Sequence, residues 1–355
     1  MPKSEKAKKH THRLRNTLLI ILAGIAALGA LWAPLTESVL LGFTYVGGGL
    51  PYYWTGNYKK QLNDSGFYAN NTKDALPQTA LYYIVTDFFA EPLPEGKTVK
   101  KVLVVGHDGA QAGGFLQAKE GVSAALALKE GGGAAYAMYA GGPWLHPQIT
   151  VTACGWSALE TGEWSYQTGV TANGVTKPAD SKHTFFTQLT ENGTIAKSVF
   201  LTSWDGHFTA DDATLKNELV YDAENGLNTN WVQCGSDEET VEKTLQEIAL
   251  PDCAGLIFPI LEYCDHAGHA YGQSMQIAEY KRGFAESDAQ ALKLINAVKA
   301  RPTYQTEDWL ILMTSDHGGC GKGHGVWLFS TERQVFLISS RPLDWEKYVQ
   351  SPWKA

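Results

Sequence analysis

Three aspartates stand where apolar runs of the chain stop. Asp108 follows KVLVVGH, Asp265 follows AGLIFPILEYC, and Asp316, with His317 beside it, follows WLILMTS. Singly, each reads as a loop residue or a helix cap. The histidines around them point to something else. Asp265-His266-Ala267-Gly268-His269 spaces a carboxylate and an imidazole four residues apart, with a glycine between them that reads as a turn bringing both onto one ion. Asp316-His317-Gly318-Gly319 supplies an adjacent pair, and Gly323-His324-Gly325 a further imidazole. Oxygen and nitrogen donors, with no thiolate in the spacing, suit Zn²⁺ or Mn²⁺ better than a structural cysteine site.

Metal chemistry on an acyl or phosphoryl group needs a nucleophile, and residues 150–162, TVTACGWSALETG, offer one. A short extended stretch runs into a helix that closes at Gly162, which places Thr152 at a helix N-terminus. Free N–H groups and the helix dipole make that an anion-binding position. The same local pattern also describes an ordinary threonine N-cap.

The elements that must hold these residues can be read from residue 98 onward. Apolar runs at 101–106, 198–204, 254–263, 309–315 and 334–340 read as strands, and amphipathic stretches at 119–130, 153–161, 238–249 and 275–300 read as helices. Continuously apolar strands separated by helices imply a parallel sheet covered on both faces. The expected class is α/β, a three-layer α/β/α sandwich with a mostly parallel central sheet. In such a sheet the carboxyl ends of the strands share one edge, where ligands bind.

The 355 residues, 44% hydrophobic and 19% charged, suffice for a large core. The formal net charge is −8 even though the first 16 residues carry six Lys/Arg against Glu5 alone, so the body is strongly acidic. An acidic body argues against a nucleic-acid polymer as partner, whereas a small phosphorylated substrate stays compatible if bound metal supplies local positive charge. Behind the basic head, residues 17–36 (TLLIILAGIAALGALWAPLT) carry no charge and are long enough to cross a bilayer. The expected layout is a basic cytoplasmic head (1–16), a transmembrane anchor (17–36), a juxtamembrane segment (37–98) and a catalytic domain outside the cytoplasm (99–355). Secretion after cleavage of a signal peptide near Ala27–Ala30 is the alternative. Five cysteines cannot all pair. A Cys234–Cys253 bridge across the 238–249 helix is open, beside the reading of buried thiols. Asn63, Asn70 and Asn192 open glycosylation sequons.

The series GHDGAQ, TVTACGWSALETG, DHAGHAYG, TSDHGG and GKGHG, in this order and spacing, resembles the type I phosphodiesterase/nucleotide pyrophosphatase branch of the alkaline phosphatase superfamily over about residues 100–340. The resemblance implies an alkaline phosphatase-like core with two zinc ions. Asp108, Thr152, Asp316 and His317 would surround one, and Asp265, His269 and His324 the other, with a phosphothreonine formed on Thr152. His107 and His266 match no ligand position and are expected to be structural. The resemblance also implies an asparagine three residues past the nucleophile. This chain has Gly155 there, whose backbone N–H is the expected substitute, and this loosens the tie to nucleotides. A sulfatase would need a C/S-x-P/A-x-R setting, which Cys154-Gly155-Trp156-Ser157-Ala158 does not supply. The functional expectation is a phosphodiesterase or pyrophosphatase. A phosphomonoesterase or phosphonate hydrolase with the same metals is the second reading, and a non-catalytic, metal-stabilised surface domain the third.

Overall fold

The computed structural model describes residues 57–142, 148–326 and 329–349. Eight strands form one sheet: β1 (Leu76–Pro77), β2 (Val99–His107), β3 (Ala134–Tyr139), β4 (Ser198–Thr202), β5 (Thr229–Gln233), β6 (Leu256–Leu261), β7 (Glu307–Thr314) and β8 (Gln334–Ser339). Their order is β1-β3-β8-β7-β2-β6-β4-β5. Every neighbouring pair is parallel except those of β8, which runs antiparallel to both β3 and β7.

The helices that matter here are α1 (Asn57–Asp64), α2 (Ala80–Ala90), α3 (Ala124–Glu130), α4 (Thr152–Thr161), α5 (Phe185–Glu191), α6 (Lys216–Glu224), α7 (Asp237–Ala249), α8 (Tyr263–Tyr271), α9 (Ala278–Lys299) and α10 (Ser330–Arg333). Strand side chains alternate between two cores, as a period of two requires. Leu103 and Val105 of β2, Ile257 of β6 and Ile311 of β7 join α3, α7 and α9 on one face. Val102 and Val104, Phe258, and Leu310 and Leu312 join α2, α4 and α5 on the other. Helices therefore cover both faces, which is why the central strands read as unbroken apolar runs.

Local signals agree with the boundaries where they are strong. Ser236 caps α7, its hydroxyl accepting the Glu239 N–H, and three acids in the first turn meet the positive end of the helix dipole. Gly162 closes α4 in the left-handed conformation at φ 71°. The stretch 119–130 is helical only from residue 124, behind its Ser123 cap.

Several expectations need correction. Of the segment 37–98, read as juxtamembrane, the part from residue 57 on enters the fold. β1 pairs with β3, and Leu81 and Val85 of α2 are fully buried. The sequence of α2, ALYYIVTDFFA, is too uniformly apolar and aromatic to show a helical period, so packing decides it. β3 (AAYAMY) and β5 (TNWVQ) also escape the sequence reading, one because alanine carries little strand signal and the other because it is a polar edge strand. Cys234 and Cys253 are free, buried thiols at opposite ends of α7, which spans about 20 Å. The Asn70 side chain is buried, bonded to both main-chain groups of Ala137, and so unavailable to a glycan. The 17–36 segment lies outside the described residues, and among those no helix is long and apolar enough to cross a membrane.

Candidate metal centre

The expected site residues come from the carboxyl ends of β2 and β7, from α4, from α8 just past the end of β6, and from the loop that carries His324. Asp108 follows β2 and Asp316 follows β7, and both are fully buried. Gly109 between them has φ +67°, and a side chain there would meet Asp265 at 2.8 Å, so glycine lets the β2 loop pass under α8. Its N–H donates to Asp316 Oδ1 at 3.2 Å. Asp265 and His269 do not sit on a glycine turn. They lie one turn apart on one face of α8, with His269 Nε2 3.2 Å from Asp265 Oδ2.

Two groups of donors result. In the first, His317 Nε2 is 3.2 Å from Asp316 Oδ2, 3.6 Å from Asp108 Oδ1 and 3.4 Å from the Thr152 hydroxyl. In the second, His324 Nε2 is 3.2 Å from His269 Nε2 and 3.7 Å from Asp265 Oδ1. The groups adjoin, because the His317 and His324 rings stack at 3.9 Å, and His317 also lies within reach of Asp265 and His324.

Each imidazole is anchored through Nδ1 to a backbone carbonyl: His317 to Gly318 at 2.8 Å, His324 to Thr150 at 2.9 Å and His269 to Lys322 at 3.0 Å. With Nδ1–H donating, every Nε2 is turned inward, offering a lone pair on His317 and His324 and, on His269, carrying the proton of its bond to Asp265. Asp108 Oδ1 and Asp316 Oδ2 are buried without a hydrogen-bond partner. Inward lone pairs and orphaned carboxylate oxygens together fit two divalent cations with nitrogen and oxygen ligands.

The electrostatics agree. Burial, and then repulsion among the carboxylates, raises Asp108 and Asp316 well above the usual range. Burial, then the neighbouring His324, lowers His317. Burial alone would raise Asp265, but the His269 hydrogen bond and the nearby imidazoles pull it below its ordinary value. The same bond, first among its causes, lifts His269 to about 9.

Thr152 is not an N-cap. Val151 occupies that place, and Thr152 is the first helical residue, 5% exposed, with its hydroxyl turned to His317. Gly155 does not present its N–H to a ligand, since that group donates to the Val151 carbonyl at 2.9 Å as the first bond of the helix. Glycine is there for contact, because a Cβ at 155 would meet the Asp316 Cβ at 2.7 Å and its carbonyl at 2.8 Å. His107 points away, bonded to Ser287 at 2.6 Å and held by burial at a pKa of about 3, and His266 lies exposed on another face of α8.

Three neighbours escaped the sequence reading. Trp156 donates Nε1–H to Asp108 Oδ2 at 2.9 Å, and its spacing of four from Thr152 on α4 was the available signal. Asn173, in the loop after α4, accepts the Ala153 N–H at 2.9 Å and so brings a side-chain amide to the helix N-terminus, the group that was sought at 155. Glu332 bonds the loop after His324, and no sequence feature marks either residue.

The family model for type I phosphodiesterase / nucleotide pyrophosphatase matches residues 102–320, more than half of the chain, and the chain belongs to that family. No curated protein sequence matches it. Among solved structures it is similar to a 2-O GAG sulfatase (11% identity, TM-score 0.48, covering 69% of this chain and 65% of that one). Another is murine ectonucleotide pyrophosphatase / phosphodiesterase 5 (18%, 0.40, 62% and 57%). A third is the alkaline phosphatase of the Antarctic bacterium TAB5 (14%, 0.43, 71% and 94%). The chain thus spans less than two thirds of the sulfatase and of the murine protein.

Proposed function

We propose that this protein is a metal-dependent hydrolase of phosphate esters, of phosphodiesterase or nucleotide pyrophosphatase type, with Thr152 as nucleophile. The observation that carries this reading is the Thr152 hydroxyl at a helix N-terminus, 3.4 Å from His317 Nε2 and beside two orphaned carboxylate oxygens. Asp108, Asp316, His317 and Thr152 would hold one ion and Asp265, His269 and His324 the other, zinc or manganese. Bound there, such ions lower the pKa of a hydroxyl or water and neutralise charge on phosphoryl and leaving oxygens.

The chain's own groups do the rest. The Asn173 amide, held at the N-terminus of α4, orients the phosphoryl oxygens. Thr152 Oγ1 attacks phosphorus as the ester P–O bond breaks, the alcohol leaves with a proton, and a phosphothreonine remains. Water then cleaves it and restores the hydroxyl, so two in-line steps retain configuration at phosphorus. The basic head and the apolar 17–36 segment support an extracytoplasmic site, anchored or secreted. Substrates would be small phosphate esters, nucleotides among them.

The test is hydrolysis of matched nitrophenyl mono- and diesters by the full chain and by Thr152→Ala. The expected result is a diester preference and a loss of at least about 10³-fold in the variant. A large monoester preference would overturn the diesterase assignment, and an unchanged rate in Thr152→Ala would overturn the nucleophile.

A further inference from the structure

Glu332 belongs to none of the motifs in which the donors lie. It sits on the short helix α10, just ahead of β8, and is 1% exposed. Its Oε2 accepts three hydrogen bonds: from the Thr150 hydroxyl at 2.5 Å, the Val326 N–H at 2.7 Å and the Gly325 N–H at 2.9 Å. Its main-chain carbonyl accepts the Gly318 N–H at 2.8 Å.

These partners border the site on three sides. Gly318 follows His317, and its own carbonyl holds the His317 ring. Gly325 follows His324, whose ring is held by the Thr150 carbonyl. Thr150 lies two residues before Thr152, at the entry to α4. A closed ring of contacts therefore runs from Glu332 through Gly325 and His324 to Thr150 and back. Burying a carboxyl among neutral donors is costly unless its bonds are made, and here burial outweighs the bonds from Thr150, Val326 and Gly325 and lifts Glu332 to about 8.

We propose that Glu332 is a positioning residue, which ties the Thr152 junction to the His324 loop and so sets the nucleophile's place relative to the Asp265–His269–His324 group. The inference rests on the metal-hydrolase reading above. It concerns geometry, because Glu332 touches neither donor set through its own side-chain atoms and acts through Thr150, Gly325 and Val326. Partners that orient metal-binding imidazoles are worth about 10- to 100-fold in affinity or activity, and a nucleophile misplaced by about 1 Å costs on the order of 10²-fold.

The experiment compares the full wild-type chain with Glu332→Gln, Glu332→Ala and Thr150→Val. Two quantities are measured: Zn²⁺ affinity by competition with a chelating dye, and kcat and KM on a nitrophenyl phosphodiester. Glu332→Ala is expected to weaken Zn²⁺ binding at least about tenfold and to lower kcat about 100-fold, with KM changed by less than about threefold. Glutamine, whose amide oxygen still accepts the two backbone N–H groups, should recover most of both losses. Thr150→Val should shift both in the same direction and combine less than additively with Glu332→Ala.

Zn²⁺ affinity and kcat within about twofold of wild type in Glu332→Ala would overturn the proposal, whatever happens to its melting temperature. Should that variant not fold, the same near-wild-type values in Thr150→Val would overturn it. A wild-type chain that binds no Zn²⁺ would bring down the metal reading and this inference together. Binding by wild type, matched by the variants, would remove only the role of Glu332.

Discussion

His269 and His324 point their Nε2 atoms at each other across 3.2 Å, while the Nδ1 of each is committed to a backbone carbonyl. Two lone pairs at that separation repel, so the arrangement requires a proton or a cation between them. The Asp265 hydrogen bond raises His269 to about 9, so at pH 7 and without metal the proton is present.

A zinc ion bound at His269, as proposed, would have to displace that proton. Binding at pH 7 is therefore expected to release about one proton at this position, and affinity should fall as pH drops below about 9. Calorimetry in two buffers of different ionisation enthalpy measures the release. A heat that does not depend on the buffer would count against His269 as a ligand. Stripping the protein with a chelator should abolish hydrolysis, and Zn²⁺ should restore it.

Gly155 is in contact with Asp316 with no room for a methyl group. Gly155→Ala should cost about 1–3 kcal/mol, because the obstructing atoms include backbone that cannot rotate away. Urea unfolding reads this directly, and a wild-type midpoint would show that α4 shifts freely over the β7 loop.

Trp156 Nε1–H is the hydrogen bond that orients Asp108 from outside the cluster. Trp156→Phe keeps an aromatic ring against Phe258 but removes the donor. Activity should drop about 10- to 100-fold, with a stability loss of only about 1–3 kcal/mol. Full activity in the folded variant would mean that Asp108 is held adequately by its backbone.

Glu218 and Lys177 form an ion pair at 2.8 Å with both side chains buried, next to the loop that carries Asn173. Burial alone would raise Glu218, but His183 and Lys177 outweigh it and bring the carboxyl down to about 2. A folded value below the unfolded one means stability that is present above about pH 4.5 and is lost as pH falls toward 2, a contribution of about 3 kcal/mol. Glu218→Gln should be less stable than wild type at pH 7, and the gap should close over that interval. A gap independent of pH would assign the stability to packing.

Much of the sheet was legible because β2, β4, β6, β7 and β8 are nearly all-apolar runs, a pattern that buried strands impose on sequence. Legibility failed where composition is neutral or local form ambiguous. DHAGHAYG looks like a turn around Gly268 and is helix α8, in which Gly268 lies so close to the Gln273 side chain that a Cβ would not fit. Asn173 and Glu332 reach the site from loops and a four-residue helix whose sequences carry no period and no motif.

The sequence by itself marked the candidate residues: three aspartates, three histidines and a threonine, picked out by type, by spacing and by the family resemblance of their motifs. Tertiary structure alone decided how they meet. It turned Thr152 from a possible cap into a hydroxyl facing His317, took the Gly155 N–H for the helix and fastened each imidazole to a carbonyl. The reason is physical: residue type fixes what an atom can donate or accept, whereas direction and desolvation come from partners far away in the chain, which local sequence does not encode.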